Sequence, residues 1–184
     1  MELAGQTLLV VGFGSTGREV ARRAAAFDMR IVATGRELDG AVPGVEAVHP
    51  PEALSGLLPA ADYVAICCAL TPETRGLFGQ ATLGMVKPGA FLTNVSRGAV
   101  VDHDALAAAL ASGRVAGAGL DVTEPEPLPA GHPLLRMENV ILTPHCGGRS
   151  PRIRERMVEL LTDNLRRFAA GEPLRHAVDK RAGY

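Results

Sequence analysis

Short apolar runs alternate with helical or turn-rich stretches along the whole chain. Thr7–Val11 (TLLVV) is continuous and β-branched at its ends, as a strand buried on both faces requires. Further strands are predicted at Arg30–Thr34 (RIVAT), Val45–His49, Tyr63–Cys68 (YVAICC), Ala90–Val95, Val115–Val122 and Val140–Thr143. Between them lie helical patterns. Val20, Ala21, Ala24 and Phe27 share helical spacing up to Asp28, and PEALSGL (Pro51–Leu57) starts with a Pro suited to a first turn. Gln80–Val86 is closed by Lys87-Pro88-Gly89. Asp102 is the expected N-cap of a helix through Ala105–Leu110 that Gly113 ends. From Ser150 to about Ala170 a long amphipathic helix carries Met157, Leu160, Leu161, Leu165 and Phe168 on one face. Strands alternating with helices predict an α/β fold with a parallel sheet between two helical layers.

The first strand runs straight into Gly12-Phe13-Gly14-Ser15-Thr16-Gly17, a G-x-G-x-x-G that opens the first helix. Strand, glycine turn and helix are the context in which this motif binds a dinucleotide. Gly12 permits the tight turn, Gly14 lets backbone approach a pyrophosphate, and Gly17 lets helix and strand pack closely. The helix N-terminus, with Ser15 and Thr16, offers N–H groups and partial positive charge to the phosphates. The expected fold is therefore a Rossmann-type doubly wound sheet in three α/β/α layers, a single domain. In such sheets the second strand ends in the residue that reads the adenosine ribose, usually Asp or Glu where NAD is preferred. Thr34-Gly35-Arg36 stands there instead. No carboxylate is present to repel a 2′-phosphate, and Arg36 would pair with one, so NADP(H) is expected over NAD(H). A solvated Arg36 and tolerance of both cofactors is the competing reading.

The stretch Asn94–His145 carries the candidate chemistry. Arg97 follows the strand AFLTNV, Glu126 follows VAGAGLDV, and His145 follows VILTP. Strand ends on one edge of a parallel sheet line a common crevice. Arg holds a carboxylate bidentately, His titrates nearest neutrality, and a carboxylate beside it favours its protonated form. Such a trio suits protonation of a carbonyl on an anionic substrate. Each residue alone is an ordinary surface or capping group; the case rests on the trio occurring with the cofactor motif upstream. Ala69 to Thr74 should lie at the cofactor edge, where small residues allow close approach. Glu126 sits in a Pro-rich loop, Thr123–Pro133. His103 is expected in an exposed helix turn, and His49 and His132 as ordinary loop residues. Glu37–Pro43 reads as a polar connection.

Composition narrows the alternatives. Hydrophobic residues make up 47% and aromatics 4%, so the core must be Ala, Val and Leu. A formal charge of −1 predicts no nucleic-acid footprint and no anionic-membrane contact. Cys67, Cys68 and Cys146 are odd in number and two are adjacent in an apolar run. They read as reduced thiols of a cytoplasmic protein, with no metal site. Met1-Glu2-Leu3 has neither the basic start nor the apolar stretch of a signal peptide.

These motifs resemble a known family. Leu3-Ala4-Gly5-Gln6-Thr7, GFGSTG, LTPET (Leu70–Thr74), NVSRGAVVD (Asn94–Asp102), GLDVTEPEPLP (Gly119–Pro129), HPLL (His132–Leu135), TPH (Thr143–His145) and GEPL (Gly171–Leu174) occur in order. The chain closely resembles the cofactor-binding domain of the D-isomer-specific 2-hydroxyacid dehydrogenases, most of all their glyoxylate/hydroxypyruvate reductase branch. The resemblance implies a 2-oxoacid reductase in which Arg97 binds the substrate carboxylate and carbonyl. It makes His145 the proton donor and Glu126, the second Glu of TEPEP, the group that holds His145 protonated. Asp121 would orient the nicotinamide carboxamide, and Ala69, Thr74, Val95, Ser96 and Gly147 would line the cofactor. TGR at Thr34–Arg36 is similar to the NADP-using members, and family members usually pair through this domain, which implies a homodimer. Cys146-Gly147-Gly148-Arg149 departs from the family's usual Ile-Gly or Ile-Ala after the histidine. Family members also carry roughly a hundred residues before the Leu-x-Gly-x-Thr entry. The expected organisation is thus a nucleotide-binding domain at 1–172 and a tail at 173–184 left from a substrate domain whose N-terminal part is absent. Two functions stay open: a reductase, or a non-catalytic nucleotide-binding or dimerisation module.

Overall fold

The computed structural model describes residues 2–37 and 42–181. Residues 38–41 of the predicted Glu37–Pro43 connection and 182–184 of the tail lie outside the described residues. The chain forms two compact units, Met1–Pro144 and His145–Tyr184.

In the first unit, among the described residues, seven strands form one parallel sheet. They are β1 (Thr7–Val11), β2 (Arg30–Thr34), β3 (Val45–His49), β4 (Tyr63–Ile66), β5 (Ala90–Asn94), β6 (Val115–Leu120) and β7 (Val140–Leu142). Their order is β3-β2-β1-β4-β5-β6-β7. The chain therefore works outward from β1 to one side, then crosses back at β4 and works outward to the other. That reversal between β1 and β4 is the switch point at which such sheets bind ligands.

The predicted β4, β5, β6 and β7 overrun the observed strands by one or two residues. The cause is register: Val11 pairs with Ile66, and Ile66 with Asn94, so the ladder stops there together. The amides of Cys67 and Val95 still donate to the carbonyls of Val11 (2.8 Å) and Ile66 (3.2 Å), which fixes the first residues of both site loops.

The helices of this unit are α1 (Ser15–Ala25), α2 (Leu54–Leu57), α3 (Gln80–Met85) and α4 (His103–Ala111). Pro51–Leu57 splits into a 3₁₀ turn and the single turn of α2. Asp102 caps α4 as expected, accepting from the Ala105 amide at 3.0 Å. One face of the sheet packs Leu9, Ile66, Phe78, Leu92, Leu106 and Leu120 into the larger core. Val10, Phe13, Ala21, Ile31 and Ala33 form a smaller core under α1. Its small residues let α1 lie close to the sheet.

The second unit is built on α5 (Ile153–Ala170), closed by Gly171 in a left-handed conformation. The tail folds back on it. Asn164 donates to the Arg175 carbonyl (3.1 Å) and accepts from the Arg175 amide (2.9 Å). The predicted apolar stripe of α5 is exposed, Phe168 at 76% and Met157 at 64%.

Candidate functional site

The glycine turn has the form a phosphate cradle needs. Gly12 adopts a φ of 95°, and its amide donates to the Thr34 carbonyl at 2.9 Å, tying the turn to the end of β2. A Cβ at Gly12 would stand 2.4 Å from the Cys68 Cα, and one at Gly17 would stand 2.2 Å from the Gly12 carbonyl oxygen. Both positions are closed to any side chain by backbone. Gly14 is different: a Cβ there meets nothing within 4 Å. It is exposed, it caps α1 with no side-chain hydrogen bond, and no acid occupies the first turn, where Ser15 and Thr16 are also exposed. The uncapped, acid-free N-terminus of α1 thus faces open space over Gly14, which fits a pyrophosphate.

The end of β2, where the ribose is expected, is tied in by backbone pairing. Thr34 is buried and pairs with Val11 and His49, while Gly35 donates its amide to the His49 carbonyl at 2.9 Å. Arg36 is exposed. After β4, Cys67 and Cys68 are half-buried, and burial pushes their thiols up to about 12 and about 11. They are packing groups at neutral pH. The loop beyond them is a closed polar turn. The Thr74 hydroxyl donates to the Ala69 carbonyl at 2.7 Å, and the Thr71 amide donates to the Thr74 hydroxyl at 2.7 Å.

The two loops that carry Arg97 and Glu126 meet. Buried Asn94, the last residue of β5, organises the first. Its carbonyl oxygen Oδ1 accepts from the Ser96 amide (3.0 Å) and hydroxyl (2.8 Å), and its amide nitrogen donates to the Arg97 carbonyl (3.0 Å). Val95 and Arg97 are exposed on either side of buried Ser96. A Cβ at Gly98 would stand 2.0 Å from the Thr123 carbonyl carbon and oxygen and 2.6 Å from the Glu124 amide nitrogen. The backbones therefore touch, three residues before Glu126, which is exposed. Asp121 is fixed from both sides, its amide donating to the Asn94 carbonyl (3.1 Å) and its Oδ1 accepting from the Thr143 hydroxyl (2.6 Å). Arg97, Asp121 and Glu126 are thus brought to adjoining loops of the first unit. His145 opens the second unit, left-handed at a φ of 48°, with Gly147 two residues on.

Two expectations about histidines are corrected. His103 is buried, not solvated, at 5% exposure, and its Nε2 has no hydrogen-bond partner. Desolvation, then the neighbouring His132, hold its pKa below the ordinary histidine value, against the pull of Asp102 and the Val122 backbone. His132 is not an ordinary loop residue. Its Nδ1 accepts from the Leu134 amide (3.3 Å), its Nε2 lies 3.5 Å from Asp104, and its ring meets His103 edge-on. No helix of the described residues is long and apolar enough to cross a membrane, and no group of three or more His, Cys, Asp or Glu among them is placed to hold a metal ion.

A parallel sheet with this strand order, entered through a bare glycine turn, defines a dinucleotide-binding domain of the Rossmann type. The model of the D-isomer specific 2-hydroxyacid dehydrogenase NAD binding domain matches residues 1–147, and the chain belongs to that family. It is 45% identical over 174 residues to a glyoxylate reductase of Korarchaeum cryptofilum, a match covering 93% of the chain and 51% of that protein. It is 40% identical over 176 residues to the human glyoxylate reductase/hydroxypyruvate reductase, covering 94% and 52%. The chain spans about half the length of these curated relatives. Among solved structures it superposes on a D-isomer specific 2-hydroxyacid dehydrogenase of Xanthobacter autotrophicus, in complex with NADPH and MES, with a TM-score of 0.93 and 41% identity, covering 100% of this chain and 75% of that one. An NADPH-dependent glyoxylate/hydroxypyruvate reductase of Sinorhizobium meliloti, in complex with NADP and sulfate, gives a TM-score of 0.91 and 32% identity, covering 100% and 58%.

Proposed function

We propose that the chain serves an NADP(H)-dependent reductase of small 2-oxoacids such as glyoxylate or hydroxypyruvate. The observation that carries this is the backbone contact of Gly98 with Thr123 and Glu124, which joins the loop of Arg97 to the loop of Glu126 at the ends of β5 and β6. The bound cofactor supplies the hydride. Arg97 holds the substrate carboxylate and orients the carbonyl. His145 gives its proton to the carbonyl oxygen, and Glu126 favours the imidazolium that does so. Asp121, held by Thr143, orients the nicotinamide carboxamide. Gly35 and Arg36 favour the 2′-phosphate, the preference that the NADPH- and NADP-bound relatives also support. The protein acts in the cytoplasm, where Cys67, Cys68 and Cys146, none in a disulfide, stay reduced. It works as a homodimer formed within residues 1–184; light scattering at tens of micromolar tests this, and a folded monomer contradicts it.

The test of function is NADPH oxidation by four proteins: this chain, and this chain joined to the substrate domain of a glyoxylate reductase, each with His145 or with His145→Ala. The joined form should turn over orders of magnitude faster than the chain alone, because a second domain fixes the substrate and excludes water. His145→Ala should remove about 10²–10⁴-fold of that rate and leave cofactor affinity unchanged. Equal turnover with Ala at 145 would remove the catalytic assignment. Cofactor binding without turnover in any form would favour a non-catalytic nucleotide-binding module.

A further inference from the structure

The first turn of α1 carries a cation that the function above does not use. Arg18 donates its amide to the Gly14 carbonyl at 3.0 Å, so it belongs to the turn that forms the phosphate cradle. Its guanidinium carbon stands over the Phe13 ring, 4.7 Å from the centroid. Phe13 is buried at 5% exposure, and a Cβ at Gly35 would stand 3.1 Å from the Phe13 Cβ. One aromatic side chain therefore touches both the first turn of α1 and the end of β2: Arg18 lies over its ring, and Gly35, the residue before Arg36, lies against its stem. Val11 and Thr34, adjacent in register, hold the two elements side by side.

We infer that Arg18, held over Phe13, is a second cation for a phosphate monoester on the ribose at Gly35–Arg36, and so a determinant of NADP(H) over NAD(H). The inference rests on the NADP(H) reading proposed above. A guanidinium over an aromatic face keeps its N–H donors at the edge of its plane and loses little further freedom on meeting phosphate. A lysine has no such plane and gains less from the ring. The absence of a side chain at Gly35 leaves the approach between Phe13 and Arg36 clear. A side chain there would press on the Phe13 Cβ at 3.1 Å, so Phe13 would have to give by a few tenths of an ångström.

The experiment is calorimetric titration of the 184-residue protein and its Arg18→Ala, Arg18→Lys and Arg36→Ala variants with NADPH and NADH. Adenosine 2′,5′-bisphosphate and AMP serve as probes that lack the nicotinamide. Arg18→Ala should weaken NADPH and the bisphosphate about tenfold, the loss of one charge-assisted contact, with NADH and AMP changed by less than about twofold. Arg18→Lys should recover only part of that loss. If Arg36→Ala is selective for the phosphorylated ligands while Arg18→Ala is not, the role of Arg18 is overturned and the cofactor reading survives. If the unmodified protein binds NADPH and NADH alike, the cofactor reading fails and this inference falls with it.

Discussion

The two edges of the parallel sheet are built on opposite plans. Where the strands begin, charge is matched. Asp62 accepts from the Thr7 amide (2.9 Å) and from the Lys87 ammonium, and Arg30 at the start of β2 pairs with Glu46 (3.0 Å). The Lys87 hydrogen bond, then that from Thr7, hold the Asp62 carboxyl below the usual carboxylate range. Where the strands end, side chains give way to backbone. Glycines approach neighbouring backbone segments within contact distance, Asn94 and Thr143 satisfy loop amides and carboxylates, and Arg97, Glu126 and Arg36 stand exposed. One edge is closed by its own partners. The other has its backbone fixed and its charged side chains exposed.

The comparison breaks first at the glycines of the strand-end edge, where two kinds of glycine should separate. Gly17→Ala and Gly98→Ala each place a methyl within 2.2 Å of backbone that cannot swing aside. Each should cost about 3 kcal/mol or more of stability, read by denaturant unfolding. Near-native stability of Gly98→Ala would mean that the two loops can part, and that their contact does not position Arg97 and Glu126.

At the opposite edge Asp62→Ala should cost about 1 kcal/mol, mainly because it leaves the Thr7 amide without its acceptor while the half-exposed Lys87 is hydrated, with NADPH affinity unchanged. The sign with pH follows from the depressed carboxyl. The stabilisation is present above the unfolded pKa and is lost as pH falls through the lower folded value. An Asp62→Ala variant should therefore lose less stability on acidification than the parent. A matching slope in both would remove Asp62 from the account.

A smaller effect of similar sign comes from His103. Its folded pKa is lowered, so the unfolded chain binds the proton first, and stability falls as pH drops from the ordinary histidine range toward the folded value. His103→Phe should flatten that window.

Much of this was legible in the chain itself. The apolar runs place β1, β2 and β3 at their observed ends, and the glycine turn and the Asp102 cap stand where local pattern puts them. Both depend on neighbours within a few residues. What was not legible depends on distant ones. His103 is buried by His132 and the strand-end loop near Val122, roughly twenty to thirty residues on, so its local pattern reads as an exposed turn. The contact of Gly98 with Thr123 and the platform of Phe13 under Arg18 likewise need the sheet to exist before they do. The ends of β4 and β5 are set by where β1 stops, which no single run encodes.

Gly14 gives the most direct test that the strand-end edge is a nucleotide cradle. Its φ of −81° and ψ of −159° suit any residue, and a side chain there meets open space. Gly14→Val should therefore leave the thermal midpoint within about 2 °C, as expected of an exposed substitution. The added methyls would occupy the open volume over the N-terminus of α1 in which a pyrophosphate is proposed to lie. Calorimetric titration with NADPH should show binding in the parent and at least tenfold weaker binding in a variant that is equally stable. Equal affinity in the two proteins would contradict the account, because it would place the cofactor somewhere other than over Gly14.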